Sequence, residues 1–269
     1  MQLTVLGSGS RGNAFVISAA GVSILIDAGF GPKTLFRRAR KVGISLDEIA
    51  AIILTHEHGD HARGAAAIAR RAACPIYASR GTHSALNTRL SGLRRLPIEP
   101  NRRTRIGPFH VAAGLTSHDA FEPIALSISC AGERAKIALA YDLGRITGGV
   151  RYLLRDATCV LLEANHDEVM LRLGPYPPVV RERIGGSRGH LSNRAAGELL
   201  AQVCHPDLTS IVLVHLSETC NRADLAEVEV NAHLQKAGYR GNLLVAAQDQ
   251  PLTPLLVGSE PRQLELGIG

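Results

Sequence analysis

Short hydrophobic runs separated by glycine-containing turns open the chain. The runs cover Leu3 to Leu6, Ala14 to Ser18 and Val22 to Ile26, and each has the length and composition of a β-strand. The segments between them, Gly-Ser-Gly-Ser-Arg-Gly-Asn and Ala-Gly, are typical of turns. The pattern therefore predicts three antiparallel strands at the start of the chain.

From Pro32 the pattern becomes helical, and Gly43 marks the end of this first helix. Ser45-Leu46-Asp47-Glu48 then forms a capping-box sequence. Further strands are predicted at Ala51 to Leu54, Ile76 to Ala78, Arg94 to Ile98, Phe109 to Ala113, Ile124 to Ser129, Lys136 to Ala140, Cys159 to Leu162, Ile211 to Val214 and Leu243 to Val245. Helices are predicted at Ala62 to Ala73, Ser79 to Leu90, Arg194 to Val203 and Ala223 to Lys236. Antiparallel strands followed by alternating strands and helices indicate layered sheets covered by helices.

The length of 269 residues and the hydrophobic content of 45% suit one domain with a substantial core. We expect a single domain over residues 1–269, with a core of about residues 1–250 and a short C-terminal tail. No apolar run approaches the roughly 18 to 20 residues of a membrane span, so no membrane association is expected. The cysteines form no CxxC pair and indicate reduced thiols of a cytoplasmic protein: Cys74, Cys130, Cys159, Cys204 and Cys220.

A formal net charge of +6, much of it from arginine, permits an acidic partner such as nucleic acid. Arginine is also common as ordinary solvated surface. Charge alone therefore does not decide between the two interpretations, and it leaves the oligomeric state open.

The segment from Gly7 to Gly12 matches the GxGxxG pattern of dinucleotide-binding loops and follows a predicted strand. The residues after it continue as a strand, so no helix N-terminus is available for a pyrophosphate. A glycine hairpin at the border of a cleft fits better. In that position Ser8, Ser10 and Asn13 would be free to donate hydrogen bonds to a phosphate.

A cluster of metal-ligand side chains, Thr-His-Glu-His-Gly-Asp-His, occupies positions 55–61 directly after an apolar run. His56 and His58 point to one side of an extended chain and can meet at one cation, and Asp60 and His61 lie on the following turn. Imidazole nitrogens mixed with a carboxylate suit zinc, manganese or iron better than calcium or magnesium. A solvated histidine-rich loop is the alternative, but four potential ligands behind a buried strand favour a metal site.

Three more potential ligands are placed beside predicted strands, where a rigid backbone can orient them. His118 precedes the strand from Ile124, Asp142 follows the strand that ends at Ala140, and His215 follows Val214.

Taken in order, these residues resemble the five motifs of metallo-β-lactamase-fold hydrolases. The resemblance covers roughly residues 1–250 and implies a single-domain α/β fold, a four-layer αββα sandwich with its site at one edge. It implies two divalent metal ions, Zn²⁺ or Mn²⁺, with Asp142 as the bridging ligand. The remaining ligands would divide between the ions as His56, His58 and His118 for one, and Asp60, His61 and His215 for the other.

Two further segments resemble ribonuclease Z-like nucleases: Leu161-Leu162-Glu163-Ala164-Asn165 and Gly189-His190-Leu191-Ser192. The resemblance implies that Glu163 orients His190 and raises its basicity, and that His190 donates a proton to the departing oxygen. Capping of the predicted helix from Arg194 is the alternative role for His190.

A more specific resemblance is to the YycJ (WalJ)-type exonuclease group. The matching segments are Gly-Ser-Gly-Ser-Arg-Gly-Asn at 7–13, Thr-Ser-His-Asp at 116–119, Glu-Ala-Asn-His-Asp at 163–167, Leu-Gly-Pro-Tyr-Pro at 173–177 and His-Leu-Ser-Glu at 215–218. This resemblance implies a 5′-to-3′ exonuclease that acts on double-stranded DNA.

The implied mechanism is in-line attack on phosphorus by a metal-bound hydroxide, which Asp60 positions. The strand contacts are expected to come from arginines close in sequence to His190: Arg181, Arg183 and Arg188. Asp27 follows a strand and is expected to accept a hydrogen bond from a ligand imidazole. His166 is expected near Glu163 in the cleft, with a local loop hydrogen bond as the alternative.

The same ligands also serve hydrolases of small esters, thioesters, lactones or cyclic phosphodiesters. A third alternative is a metal-stabilised nucleic-acid-binding or regulatory protein without catalysis. Activity toward linear duplex DNA, compared with activity toward small esters, would discriminate among the three.

Overall fold

A computed structural model describes residues 1–258, and its strands form two seven-stranded mixed sheets. The first sheet has the spatial order β14 (Leu255–Leu256), β1 (Gln2–Gly7), β2 (Ala14–Ala19), β3 (Val22–Ile26), β4 (Ile49–Ile53), β5 (Ile76–Ala78) and β6 (Arg95–Pro97). The second has the order β13 (Asn242–Val245), β12 (Ser210–Val214), β11 (Cys159–Glu163), β10 (Lys136–Ala140), β9 (Ile124–Cys130), β8 (Phe109–Leu115) and β7 (Arg103–Ile106). The predicted antiparallel opening is confirmed, because β2 pairs antiparallel with both β1 and β3.

Helices cover the outer faces of the two sheets. They are α1 (Pro32–Lys41), α2 (Gly59–Ala62), α3 (Ala65–Ala72), α4 (Arg80–Ala85), α5 (Gly148–Leu154), α6 (Glu168–Leu173), α7 (Pro178–Gly185), α8 (Asn193–Val203) and α9 (Ala223–Lys236). A 3₁₀ turn, Leu46–Glu48, lies between α1 and β4.

Three hydrophobic cores explain why the layers stack in this order. Alternate residues of a strand face opposite sides, and in β2 both faces are buried. Ile17 packs in the core between the two sheets, whereas Val16 packs in the core beneath the helices of the first sheet. A third core, with Leu162 and Leu200, lies between the second sheet and its helices. The predicted αββα sandwich is therefore confirmed.

The parallel parts of the sheets place several polar residues at the carboxyl ends of strands. Strands β3, β4, β5 and β6 are parallel neighbours, as are β10, β11, β12 and β13. Asp27 follows β3, Asp142 lies two residues after β10, and His215 follows β12. Each of these three residues has a positive φ, of 55°, 57° and 56° respectively. The chain therefore turns sharply at each of these strand ends.

Several predicted elements differ from the structure. The helix predicted from Ser79 to Leu90 ends at Ala85, and the helix predicted from Ala62 to Ala73 is divided at Gly64. The backbone N–H of Gly64 donates to the Ala28 carbonyl, and that close approach interrupts the helix. Ser45 makes no side-chain capping bond, so the capping-box prediction is wrong.

Five elements were absent from the sequence prediction: β7, β14, α5, α6 and α7. Strand β14 extends the first sheet beyond the predicted core boundary near residue 250, and Val257 is buried. The rest of the predicted C-terminal tail, residues 259–269, lies outside the described residues. Over residues 1–258, no helix has the length and apolarity needed to span a membrane.

Gly29 is expected to be indispensable to the turn that carries Asp60. A Cβ atom added at residue 29 would lie 1.6 Å from the Asp60 carbonyl oxygen, so the backbone would have to move. Gly29→Ala should lower the free energy of unfolding by about 1–3 kcal/mol or more, which chemical denaturation measures. Gly148→Ala is the matched control, because a Cβ there meets no atom within 4 Å. Equal stability of Gly29→Ala and the wild type would contradict this account.

Candidate metal centre

The buried carboxylate of Asp27 organises the loop after β4. It accepts hydrogen bonds from the Thr55 backbone N–H and the Thr55 hydroxyl, both at 2.8 Å. It also accepts from the Tyr141 hydroxyl at 2.8 Å, and His61 Nδ1 lies 2.7 Å from it. A carboxylate only accepts, so Nδ1 of His61 carries the proton and Nε2 faces the centre of the site. The geometry matches the role expected for Asp27.

The predicted ligands converge in the two expected groups. Ligand atoms within each of three groups lie within 4.8 Å of one another: His56, His58 and His118; Asp60, His61 and His215; and His56, His61 and Asp142. Asp142 thus lies between the first two groups. Asp142 Oδ2 is 3.1 Å from His61 Nε2, and Asp142 Oδ1 is 3.6 Å from the Nε2 atoms of His118 and His215.

The orientation of the imidazoles fits metal binding. In most of them the protein holds one ring nitrogen, which leaves the other for the centre. Thr55 Oγ1 lies 3.1 Å from His56 Nδ1, and the Gly189 carbonyl lies 3.2 Å from His118 Nδ1. Asp142 Oδ2 is buried and faces ring nitrogens, with Nε2 of His61 at 3.1 Å and Nε2 of His56 at 3.9 Å. Nitrogen and carboxylate ligands that face one another in this way suit a divalent cation.

Burial and opposite charges shift the pKa values of these groups in different directions. Burial alone would lower the pKa of His215, but the Asp142 carboxylate, with Asp60 and Glu163, raises it to about 10. Burial also opposes protonation of His61, yet Asp60, Asp142 and Asp27 raise its pKa well above the usual range. The pKa of Asp60 is lowered by His61 and His215, against the effect of burial. Burial lowers the pKa values of His56 and His118, so these two rings favour the neutral form, whereas His61 and His215 favour the protonated form.

Glu163 supports two histidines at once. Its Oε1 is 2.7 Å from His190 Nδ1 and 3.1 Å from His215 Nδ1, and its Oε2 accepts from the Leu143 and Leu191 backbone N–H groups. Burial would raise the pKa of Glu163, but His190 and His215 lower it to about 2. Glu163 is thus an acceptor for the expected proton donor and for an expected metal ligand. The second contact was not anticipated from the sequence.

The expected strand-contact residues lie around two neighbouring cavities. Ser10, Arg183 and Arg188 line a cavity of about 180 Å³ together with the ligands, whereas Arg181 and His166 line a cavity of about 830 Å³ beyond His190. Arg183 Nε is 3.5 Å from the Asp119 carboxylate. His190 lines both cavities.

The prediction that Ser8 and Asn13 are free to bind a phosphate is wrong. Their exposed fractions are 1% and 0%, because both are used inside the protein. The Ser8 hydroxyl donates to Asn13 Oδ1 at 2.7 Å and accepts from the His215 N–H at 2.9 Å. Asn13 Nδ2 lies 3.3 Å from His61 Nε2. The glycine hairpin therefore braces ligand residues, and Ser10 alone of the three is exposed.

Sequence reasoning missed Thr55 and Tyr141, the other partners of Asp27. Both directly adjoin predicted ligands, His56 and Asp142, and that adjacency was the available signal.

The ring of His166 is nearly buried, and its Nδ1 has no hydrogen-bond partner in the described structure. Its predicted position beside the cleft agrees with the cavity lining. Glu57, which lies between His56 and His58 in the sequence, accepts a hydrogen bond from the Phe121 N–H.

Comparisons with known proteins identify relatives over most of the chain. The family model described as Beta-lactamase superfamily domain matches residues 23–216. Exodeoxyribonuclease YycJ of Bacillus anthracis is 29% identical over 242 residues, which cover 89% of this chain and 91% of that protein. Exodeoxyribonuclease WalJ of Streptococcus pneumoniae is 28% identical over 241 residues, which cover 88% and 89%. The predicted resemblance to this exonuclease group is confirmed.

Solved structures support the fold. The metallo-beta-lactamase fold protein YhfI from Bacillus subtilis superimposes with a TM-score of 0.71 at 16% sequence identity. The match covers 93% of this chain and 98% of that protein. At this identity the likeness concerns the fold alone.

Metal binding is expected to release protons. The raised pKa values of His61 and His215 keep both imidazoles protonated near neutral pH, whereas a metal ligand must be a neutral imidazole. Calorimetric titration of Zn²⁺ or Mn²⁺ into metal-free protein should give heats that depend on the ionisation enthalpy of the buffer. The apparent affinity should rise with pH up to about pH 10, where His215 loses its proton without metal. Heats independent of the buffer, with a flat pH profile, would contradict the assignment.

Proposed function

We propose that this chain, which belongs to the Beta-lactamase superfamily domain family, is a binuclear metal-dependent phosphodiesterase. More specifically, we propose that it is a 5′-to-3′ exonuclease of double-stranded DNA. The observation that carries the proposal is the pair Glu163 and His190 beside the two ligand groups, since it supplies a proton donor next to a hydrolytic metal centre. The two exodeoxyribonucleases that are similar over most of their length support DNA as the substrate.

The proposed metal ligands are the histidine and aspartate side chains that converge at the site. His56, His58 and His118 would hold one ion, Asp60, His61 and His215 would hold the other, and Asp142 would contact both. When bound, two divalent ions activate water and neutralise charge on the phosphoryl group. The donor set admits Zn²⁺ and Mn²⁺ alike.

Asp60 is placed to orient the attacking water. Its side chain is 25% exposed and lines the small cavity, whereas the side chain of Asp142 is 3% exposed. The pKa of Asp60 is lowered by His61 and His215, so the group remains an acceptor throughout the neutral range. A carboxylate in this position accepts a hydrogen bond from the water and aims its oxygen at phosphorus.

His190 completes the reaction on the leaving-group side. Burial would lower its pKa, but the Glu163 carboxylate raises it, so the ring is available as an acid. Nδ1 is held by Glu163, and Nε2 is left for the substrate. As the bond between phosphorus and the 3′ oxygen breaks, the proton on Nε2 passes to that oxygen. The released nucleotide then ends in a 3′ hydroxyl, and the remaining strand begins with a 5′ phosphate.

The basic side chains near this site provide the strand contacts in the proposal. Arg188 and Arg183 line the ligand cavity, and Arg181 lines the larger cavity beyond His190. Phosphate contacts of this kind position a nucleic acid without reading its sequence.

We also propose a cytoplasmic location. All five cysteines are free thiols, which supports this location.

The proposed activity is tested with linear duplex DNA labelled at the 5′ or the 3′ end and incubated with Mn²⁺ or Zn²⁺. Mononucleotides should appear first from the 5′-labelled end, and chelation of the metal should stop the reaction. Asp60→Asn is the matched negative control, since it should remove cleavage while the protein stays folded, which circular dichroism would show. Rapid turnover of thioesters or lactones without degradation of DNA would instead establish a small-ester hydrolase.

His190→Ala is expected to lower activity to different extents on two substrates that differ in their leaving group. Cleavage of DNA should fall by about 10²- to 10⁴-fold, because an alkoxide needs a proton in order to depart. Hydrolysis of bis-p-nitrophenyl phosphate should change far less, because p-nitrophenolate departs without one. Metal content should stay at the wild-type level, and His110→Ala, on β8 away from the ligands, should leave both activities unchanged. Equal losses on both substrates would refute the role of proton donor.

A further inference from the structure

Phe121 is an unusually exposed aromatic residue for this chain. It is 78% exposed, whereas Phe15 and Phe109 are 0% exposed and Phe30 is 7% exposed. The remaining phenylalanine, Phe36, packs against the core beneath α1. Covering an aromatic ring lowers the free energy of the system, so an exposed ring can stabilise a ligand that packs against it.

The backbone under Phe121 is held by polar contacts to neighbouring elements. Its N–H donates to Glu57 Oε1 at 2.8 Å, and Glu57 stands between the expected ligands His56 and His58. The next residue, Glu122, accepts from the Gly81 N–H and from the Ser79 hydroxyl, each at 2.7 Å. The ring is therefore presented on a fixed backbone whose position is coupled to the metal-binding loop.

Phe121 borders a cavity that shares lining residues with the ligand cavity of the candidate metal centre. The cavity has a volume of about 490 Å³ and is lined also by His118, Arg145 and Arg188. His118 and Arg188 line the ligand cavity as well, where they meet Asp60. The two arginines make this space attractive to phosphate, and the ring offers an apolar face beside them.

We propose that Phe121 is a stacking platform for a nucleobase of the substrate strand, with Arg145 and Arg188 beside the adjoining phosphates. This inference rests on the proposed nuclease function. Stacking on an aromatic ring is tolerant of sequence, because every base has a π face, and it suits an enzyme that advances one nucleotide at a time. Phe121 positions the strand so that the next phosphodiester lies at the ligand cavity.

The test compares Phe121→Ala, Phe121→Trp and wild type on duplex DNA, and on duplexes in which one abasic residue is moved stepwise along the cleaved strand. Phe121→Ala should lower kcat/KM by roughly 5- to 150-fold, mainly through KM, because one stacking contact is lost. Phe121→Trp should restore the activity. At one abasic position, kcat/KM of the wild type should fall by a similar factor. At that position, kcat/KM of Phe121→Ala should show no further fall.

Tyr152→Ala is the control, since Tyr152 is another exposed aromatic residue, at 63%, and does not line the Phe121 cavity. It should cleave DNA as the wild type does, and all variants should keep the wild-type melting temperature and metal content. The stacking role is overturned if Phe121→Ala cleaves DNA at the wild-type rate. It is also overturned if an abasic residue lowers the activity of that variant further, and by the same factor, at every position. Either result leaves the nuclease function intact. A wild-type protein that does not degrade DNA overturns both.

Discussion

The Asp27 carboxylate is the contact on which the arrangement of the site depends. It is fully buried at the end of β3, and a buried carboxylate is costly unless its oxygens are hydrogen-bonded. Thr55 and His61 meet it from the loop after β4, in the same sheet. Tyr141 meets it from the end of β10, in the other sheet. One acceptor thus ties both sheets to a ligand imidazole, and a shift of either sheet would leave it unsatisfied.

Glu163 has the corresponding role on the second sheet. Asp27 fixes His61 from the end of β3, and Glu163 fixes His215 and His190 from the end of β11. In both cases an acceptor on a strand determines which imidazole nitrogen is left for the centre. Ligand geometry therefore derives from sheet geometry, and the two sheets supply opposite sides of one site.

Much of the site could be predicted because its residues stand directly beside apolar strands, and strand ends are recognisable in a sequence. The roles of Ser8 and Asn13 could not, because a glycine-rich hairpin with polar side chains is equally suited to bind a phosphate or to brace a neighbouring loop. The contacts of Ser8 with His215 and of Asn13 with His61, both distant in sequence, decide between them. Helix α7 was missed for a different reason. It has no buried residue, so its sequence carries no hydrophobic period.

The same geometry implies that the site is held at an energetic cost. Asp27, Asp142 and His215 all have positive φ, which is unfavourable for residues other than glycine by about 1 kcal/mol or more each. Each of them lies just past the carboxyl end of a strand, where this conformation turns the chain sharply. The Asp142 carboxylate is also buried, at 2% exposed, and its Oδ2 lies 3.1 Å from Nε2 of His61. Cations bound at Asp142 would offset the cost of the backbone conformation, so metal binding and folding stability are linked through Asp142.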